Sequence, residues 1–164
     1  MLARRRERFF PHRPSTPETL SRRVEMKFTS IIVSLTALFS VASAVDVRYD
    51  EDYDNPKISL DAGVCSNGAN GLLTKKYTTF GSLPSFPNIG AAQAVGVWNS
   101  PECGSCWKIS YKGKSVIVTI VDHTADGFNL SLEAVNTLTD GNAEEYGVID
   151  AKATQVDPIH CGLH

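Results

Sequence analysis

Basic residues are scarce in most of this chain. Half of its sixteen Lys and Arg residues lie before Val45, and the other eight are scattered through residues 45–164 among fifteen acidic residues. Residues 45–164 therefore carry a net charge of about −7 with His neutral, and Lys75-Lys76 is their only adjacent basic pair. Nucleic-acid binding depends on clustered Lys and Arg side chains that contact phosphates. This composition excludes a nucleic-acid-binding domain.

Long apolar runs are missing as well. The stretch at 28–44 is only about 17 residues long and contains several Ser and Thr residues, whereas a transmembrane helix needs about 20 apolar residues. The stretch follows a basic segment and ends in Ala42-Ser43-Ala44. These are the three parts of a secretory signal peptide. We therefore predict export with cleavage after Ala44 and no stable membrane insertion, with a signal-anchor helix as the alternative.

The sequence thus divides into an N-terminal extension, a signal peptide that ends at Ala44, and one mature domain. Met26-Lys27 can also serve as a normal start for the signal peptide. Residues 1–25 are therefore either an N-terminal extension or an upstream start artefact. Residues 45–164 have the length of a single domain with a real but modest core.

Cysteine is sparse, and its four residues all follow the predicted cleavage site: Cys65, Cys103, Cys106 and Cys161. An even number in a small exported domain predicts two disulfides. Bridges over loops of roughly 40 and 55 residues would each contribute about 4 kcal/mol in the chain-entropy model, whereas a Cys103–Cys106 bridge would close only a short loop. Loop entropy does not choose between the three pairings, which the residues alone leave open.

Two other uses of these cysteines are less consistent with the sequence. The tetrad Cys103-Gly104-Ser105-Cys106 has the spacing of a redox motif, but such motifs open a helix, and residues 107–111 alternate like a strand. A zinc site with His160 or His164 would match no common structural spacing. We expect neither a metal nor another cofactor.

The mature chain has no internal repeat and no low-complexity linker, and its pattern is mainly β. We predict strands at 94–98, 107–111, 115–121 and 148–156, with a Gly-containing hairpin turn at 112–114. The acidic segment 45–56 is either a surface strand or a loose arm. A helix capped by Ser131 carries Leu132, Val135 and Leu138 on one face and ends at Gly141, and a short second helix covers 143–146.

Several blocks, in order, resemble the cerato-platanins, which are small secreted fungal proteins. The blocks are Val47-Arg48-Tyr49-Asp50, residues 65–72 from Cys65-Ser66-Asn67-Gly68 onward, Cys103-Gly104-Ser105-Cys106-Trp107, Ile120-Val121-Asp122-His123, Gly127-Phe128-Asn129, Ile149-Asp150-Ala151, Thr154-Gln155-Val156 and Cys161-Gly162-Leu163. The resemblance extends over essentially the whole mature chain.

The resemblance implies a mainly β fold with short helices: a six-stranded double-psi β-barrel with two disulfides, similar to the catalytic-type domain of expansins. It implies the pairs Cys65–Cys103 and Cys106–Cys161. It also implies a monomeric, non-enzymatic protein of the fungal cell wall and culture fluid, which binds chitin-type N-acetylglucosamine oligosaccharides or a cellulose-like glucan. Loosening of polysaccharide and elicitation of plant defence, through a host receptor, are further implied functions.

The residues give this function a chemical basis. Asp122 ends an apolar strand, and a carboxylate there can accept hydrogen bonds from sugar hydroxyl or N-acetyl groups, unless it only caps a turn. His123 is expected either to donate to a sugar or to brace Asp122. Tyr49 offers a flat face for a sugar ring or packs on the barrel edge. Asp50 and Gln155 are weaker candidates, and Trp98 and Trp107 are expected in the core.

Asn129 is the last candidate contact residue, and it also begins the sequon Asn129-Leu130-Ser131. A glycan there would crowd a groove beside Asp122, so either the side chain is unmodified, which we expect, or Asn129 is not a contact residue.

The alternative function is a glycoside hydrolase or lytic enzyme on the same barrel type. Hydrolysis commonly needs two carboxylates on either side of the scissile bond. Asp122 supplies one, while Asp126 and Asp150 lie in no motif that suggests catalysis. A third class, a coat protein that acts only by its surface activity, is compatible with sugar binding.

The export prediction can be tested on the protein itself. Mass analysis of protein from culture fluid should give an N-terminus at Val45, within a residue or two, because cleavage follows the A-x-A end. Full-length protein recovered from membranes would contradict this prediction.

Overall fold

The fold is described from a computed structural model, and the structure describes residues 43–163. The predicted targeting segment, apart from Ser43 and Ala44, lies outside the described residues, as does His164. Six strands and two α-helices are present in this range: β1 Ser43–Tyr49, β2 Ile89–Ala92, β3 Cys106–Tyr111, β4 Lys114–His123, β5 Phe128–Leu130, α1 Leu132–Thr139, α2 Ala143–Tyr146 and β6 Val148–Val156. Short 3-10 turns follow β1 and β6, and two more lie between β1 and β2. Among these residues, no helix has the length and apolar character needed to cross a membrane.

The strands close into a barrel in the order β1-β5-β2-β4-β3-β6. The pairs β1–β5 and β2–β4 are parallel, and the other four contacts are antiparallel. The expected six-stranded double-psi β-barrel with short helices is thereby confirmed. Parallel neighbours need long crossover connections, and in this barrel those connections contain the irregular loops that surround the candidate site.

Several predicted elements match the structure closely. The final strand and the short second helix have the predicted bounds, and α1 begins after Ser131, whose side chain accepts a hydrogen bond from Ala134 N–H. The β3–β4 hairpin turns at Lys112-Gly113, both with positive φ. Two residues with positive φ form the turn type that fits the twist of a hairpin.

The predicted strand at 94–98 is wrong. The strand before β3 is Ile89–Ala92, and the chain leaves the barrel after it, so Trp98 is 58 % exposed instead of lying in the core. Small residues gave β2 little local signal, because Gly and Ala are poor strand formers. They are needed there, since a Cβ on Gly90 would lie 2.4 Å from the carbonyl oxygen of Asn129.

The acidic N-terminal segment is neither a surface strand nor a loose arm. Its first part is β1, which pairs with β5 on one side and β6 on the other, with Val47 fully buried. Both partners lie near the C-terminus, and no local pattern can reveal such distant pairing. Strand β5 was not predicted for the same reason.

Two disulfides connect the loops to the barrel. They join Cys65 to Cys103 and Cys106 to Cys161, which is the pairing that the resemblance implies. Cys103 and Cys106 thus bond to distant partners and not to each other. The barrel interior is apolar and includes Val47, Ile89, Ile109, Val118, Ile120 and Leu130, all fully buried.

Gly127 determines how closely β5 approaches β1. Its φ is 50°, and an added Cβ would lie 2.0 Å from the carbonyl oxygen of Asp46. Gly127→Ala must therefore strain the backbone and separate the two strands. We expect a loss of about 3 kcal/mol in the free energy of unfolding, measured by urea denaturation.

Two control variants separate the cost of a positive φ from the cost of the close approach between the strands. Gly141 has φ 80° but no atom within 4 Å of an added Cβ, and Gly96 has free space without a positive φ. Gly141→Ala should cost about 1 kcal/mol, and Gly96→Ala should change stability by less than about 0.5 kcal/mol. Equal small losses in all three variants would show that the close approach at Gly127 is unimportant.

The disulfides should contribute much of the stability. They close loops of 38 and 55 residues, each worth about 4 kcal/mol in the chain-entropy model, with measured values often smaller. Reduction should therefore lower the melting temperature substantially. Non-reducing digestion should give no Cys103–Cys106 peptide, and finding one would contradict the pairing.

Candidate functional site

Asp122 lies near the end of β4 and connects that strand to a loop. Its Oδ1 accepts hydrogen bonds from the backbone N–H groups of Val64, at 2.9 Å, and of His123, at 2.8 Å. The loop packs against the carboxylate of Asp122, since a Cβ on Gly63 would lie in ordinary van der Waals contact with it, at 3.4 Å. No protein donor contacts Oδ2 within residues 43–163. One carboxylate oxygen therefore supports the loop, and the other is available to a ligand.

A cleft of about 240 Å³ opens beside this carboxylate. Its walls come from the turn after β1, the loops before β2 and the end of β4. Ten residues line it: Asp50, Asp52, Tyr53, Ile58, Leu60, Ala62, Gly63, Phe80, Val121 and Asp122. Three carboxylates thus meet an apolar surface on which the rings of Tyr53 and Phe80 lie 5.6 Å apart. Such a mixture suits a ligand that has both polar edges and apolar faces.

Tyr53 is the hydroxyl-bearing aromatic residue of the cleft. Its burial raises the pKa of its hydroxyl far above 10, and the negative charges of Asp122, Asp50 and Asp52 raise the pKa further. Both effects disfavour the phenolate. At neutral pH the hydroxyl is therefore protonated and can donate a hydrogen bond.

Asp50 is held in place from two sides. Its Oδ1 accepts from the N–H of Asp52 at 3.0 Å, and its Oδ2 accepts from Nδ2 of Asn129 at 3.3 Å. Asn129 is partly buried on β5 and does not line the cleft. The nitrogen that contacts Asp50 is also the one to which a glycan would be attached, and whether this sequon is unmodified stays a prediction.

The remaining predicted contact residues lie elsewhere. The side chain of His123 does not contact Asp122; instead its Nδ1 donates to the carbonyl oxygen of Val95. Tyr49 is partly buried against the core. Gln155 is exposed on β6, where its Nε2 donates to Glu102 at 2.8 Å. Of the six candidates, Asp50 and Asp122 line the cleft and Asn129 supports it. His123, Tyr49 and Gln155 do not line it.

Three lining residues that matter chemically were not predicted. Asp52 and Tyr53 lie two and three residues after Asp50, and the acidic run 50–54 with an aromatic residue in it was a signal that could have identified them. Phe80 lies in a 3-10 turn far along the chain and carried no such signal. No group of three or more His, Cys, Asp or Glu side chains between residues 43 and 163 is placed to hold a metal ion.

Known proteins are similar to this chain in sequence and in fold. Residues 45–163 match the family model described as Cerato-platanin. The chain is similar to the "Heat-stable 19 kDa antigen" of Coccidioides immitis (strain RS), at 40 % identity over 82 % of this chain and 92 % of that protein. It is also similar to the crystal structure of cerato-platanin 3 from M. perniciosa, with TM-score 0.71 and 44 % identity over 74 % of this chain and 100 % of that one.

A third similar protein has a solution structure, that of "the fungal elicitor Cerato-Platanin". Its TM-score is 0.65 and its identity 36 %, over 71 % of this chain and 96 % of that one. The family match covers the barrel, both disulfides and every residue of the cleft. This chain therefore belongs to the cerato-platanin family.

Proposed function

We propose that this protein is secreted and binds chitin-type N-acetylglucosamine oligomers, without cleaving them, in the cleft beside Asp122. The observation that carries the proposal is the composition of that cleft, in which carboxylate acceptors surround an apolar surface with two aromatic rings. Pyranose rings have apolar C–H faces and a rim of hydroxyl and amide groups. The two surfaces are complementary in chemistry.

Asp122 is the main polar contact in this proposal. Its Oδ1 is occupied by two backbone donors, so Oδ2 is the atom that would accept from a sugar hydroxyl or an acetamide N–H. Hydrogen bonds to a charged acceptor are the stronger kind. The neutral hydroxyl of Tyr53 would donate to a sugar oxygen, and Phe80, which is 8 % exposed, would add a small apolar contact.

The charge of the domain also favours a neutral ligand. Its acidic residues outnumber its basic ones by almost two to one after residue 44, and the cleft itself carries three carboxylates. Anionic polymers would be repelled by this surface. An uncharged polysaccharide that presents many donors avoids that cost.

Hydrolysis is the second candidate, and one observation favours it: Asp50 and Asp52 line the same cleft as Asp122. A hydrolase needs one carboxyl group free to protonate the leaving oxygen. Asp122 keeps a free Oδ2, but both oxygens of Asp50 accept hydrogen bonds and Asp52 is exposed, so Asp122 has no second carboxyl group beside it in the cleft that is both free and sheltered. These contacts support binding better than proton transfer.

The protein's biological setting is part of the same proposal. A similar protein is titled a fungal elicitor, and we extend to this chain a place in the fungal wall and culture fluid, with loosening of polysaccharide and recognition by a plant host as consequences. Binding to N-acetylglucosamine chains of the wall would hold the domain there, and binding to oligomers released from the wall would keep it in the culture fluid.

Asp122→Asn tests the cleft without removing its support. The amide oxygen can still accept from Val64 and His123, while an NH₂ group replaces the free Oδ2. We expect the affinity for N-acetylglucosamine oligomers to fall about tenfold, which corresponds to about 1.4 kcal/mol, with an unchanged melting temperature. Isothermal titration with the tetramer measures the affinity.

Asp126→Asn is the matched control. It removes the same charge from a side chain that is 67 % exposed and lies outside the cleft, so its affinity should stay within about twofold of the parent. A melting temperature lowered only in Asp122→Asn would mean that Asp122 is structural. Release of reducing ends from chitin by the parent, and not by Asp122→Asn, would show that the protein is an enzyme.

A further inference from the structure

Trp98 lies in the loop between β2 and β3 with most of its side chain in solvent. It is 58 % exposed and its neighbour Val97 is 72 % exposed. The other tryptophan, Trp107, is partly buried against Phe128. Burial of a large apolar side chain stabilises a fold. Trp98 contributes little stabilisation of this kind, because most of its surface is in solvent.

The exposed ring is nevertheless held in one orientation. Its Nε1 donates to Oδ1 of Asn67 at 2.7 Å. The next residue, Asn99, accepts from Asn70 through both its side chain and its backbone carbonyl, each at 2.9 Å. Asn99 has a φ of 62°, which is uncommon for a residue other than glycine. An exposed aromatic ring fixed by its own N–H and by a locked neighbour is a preorganised contact surface.

The loop is also covalently connected to the segment that contacts it. Cys65 and Cys103 are disulfide-bonded, and Asn67 and Asn70 lie just after the first of them. The side chains that hold the loop are therefore connected to it by this covalent bond as well as by hydrogen bonds. The disulfide keeps Asn67 close to the loop that carries the ring.

The surroundings of the ring indicate the class of its partner. The polar side chains that hold this loop, Asn67, Asn70 and Asn99, are uncharged amides. The domain as a whole is acidic, so anionic lipid surfaces would be repelled. A neutral, hydroxyl-rich ligand with flat apolar faces matches both observations.

We propose that Trp98 stacks on a sugar ring of the same neutral polysaccharide that the cleft binds, as a second contact outside the cleft. This inference rests on the proposed function. The two positions share one segment, because the N–H of Val64 donates to Asp122 and the side chain of Asn67 holds Trp98. Residues 64 and 67 lie at most about 11 Å apart, so the two contacts belong to neighbouring parts of one segment, and the proposal is that one oligomer of several sugar units contacts both.

The length of the oligomer provides the test. Trp98→Ala should weaken binding to the N-acetylglucosamine hexamer and to colloidal chitin about fivefold to tenfold, and should leave binding to the dimer unchanged. Tyr146→Ala is the control, since it removes a 44 % exposed aromatic residue elsewhere, and its affinities should match the parent. Asn67→Ala frees the ring without removing it and should give an intermediate loss with the hexamer. Melting temperatures are measured for all variants.

Fluorescence identifies the ring directly. Iodide quenches the fluorescence of exposed tryptophan, and the quenched part of the parent's emission that disappears in Trp98→Ala is assigned to Trp98. The hexamer should protect this emission from iodide. Unchanged hexamer binding in Trp98→Ala, with a loss in Asp122→Asn, would overturn this inference and leave the proposed function intact. A parent that binds neither dimer nor hexamer would overturn both. Protection by phosphatidylcholine vesicles but not by the hexamer would assign the loop to lipid and overturn the inference.

Discussion

The attachment of one irregular segment, residues 63–72, to the rest of the domain determines the geometry of both the cleft beside Asp122 and the exposed ring of Trp98. The segment contains no helix or strand, so it depends on the Cys65–Cys103 bond and on the hydrogen bond from Val64 to Asp122. A buried turn closes it, because the N–H of Leu72 donates to the carbonyl oxygen of Cys65. Its first residue, Gly63, lines the cleft, and Asn67 holds Trp98. A change in this segment would therefore affect both surfaces together.

Much of the fold could be predicted where the determining interactions are local. The β3–β4 hairpin, the capped helix α1 and the long strand β6 each carry their signal within about ten consecutive residues. Strands β2 and β5 do not, since they are short and their partners lie far away along the chain. Trp98 shows the same limit, because its alternating apolar neighbours resembled a strand, yet the barrel has no place for one there.

The candidate site could be predicted only in part, for related reasons. Asp122 was identifiable because it ends an apolar strand, and Asp50 because it belongs to a block shared with a family. Phe80 reaches the cleft only through the path of a long crossover loop. His123 shows that adjacency in sequence is not adjacency in space, since neighbouring side chains on a strand point to opposite faces. Its side chain contacts the loop at Val95, away from the cleft.

The pairing of β1 has a consequence for the order of events in the predicted export. Its first two residues, Ser43 and Ala44, pair with Ala153 and Lys152 of β6. A protease must bind an extended backbone that is not already paired, so removal of a leader after Ala44 requires that β6 has not yet joined β1. Because β6 is the last strand among the described residues, the barrel closes only after the C-terminal part of the domain has been made. On the predicted export route, the cleavage site would be accessible until β6 pairs with β1.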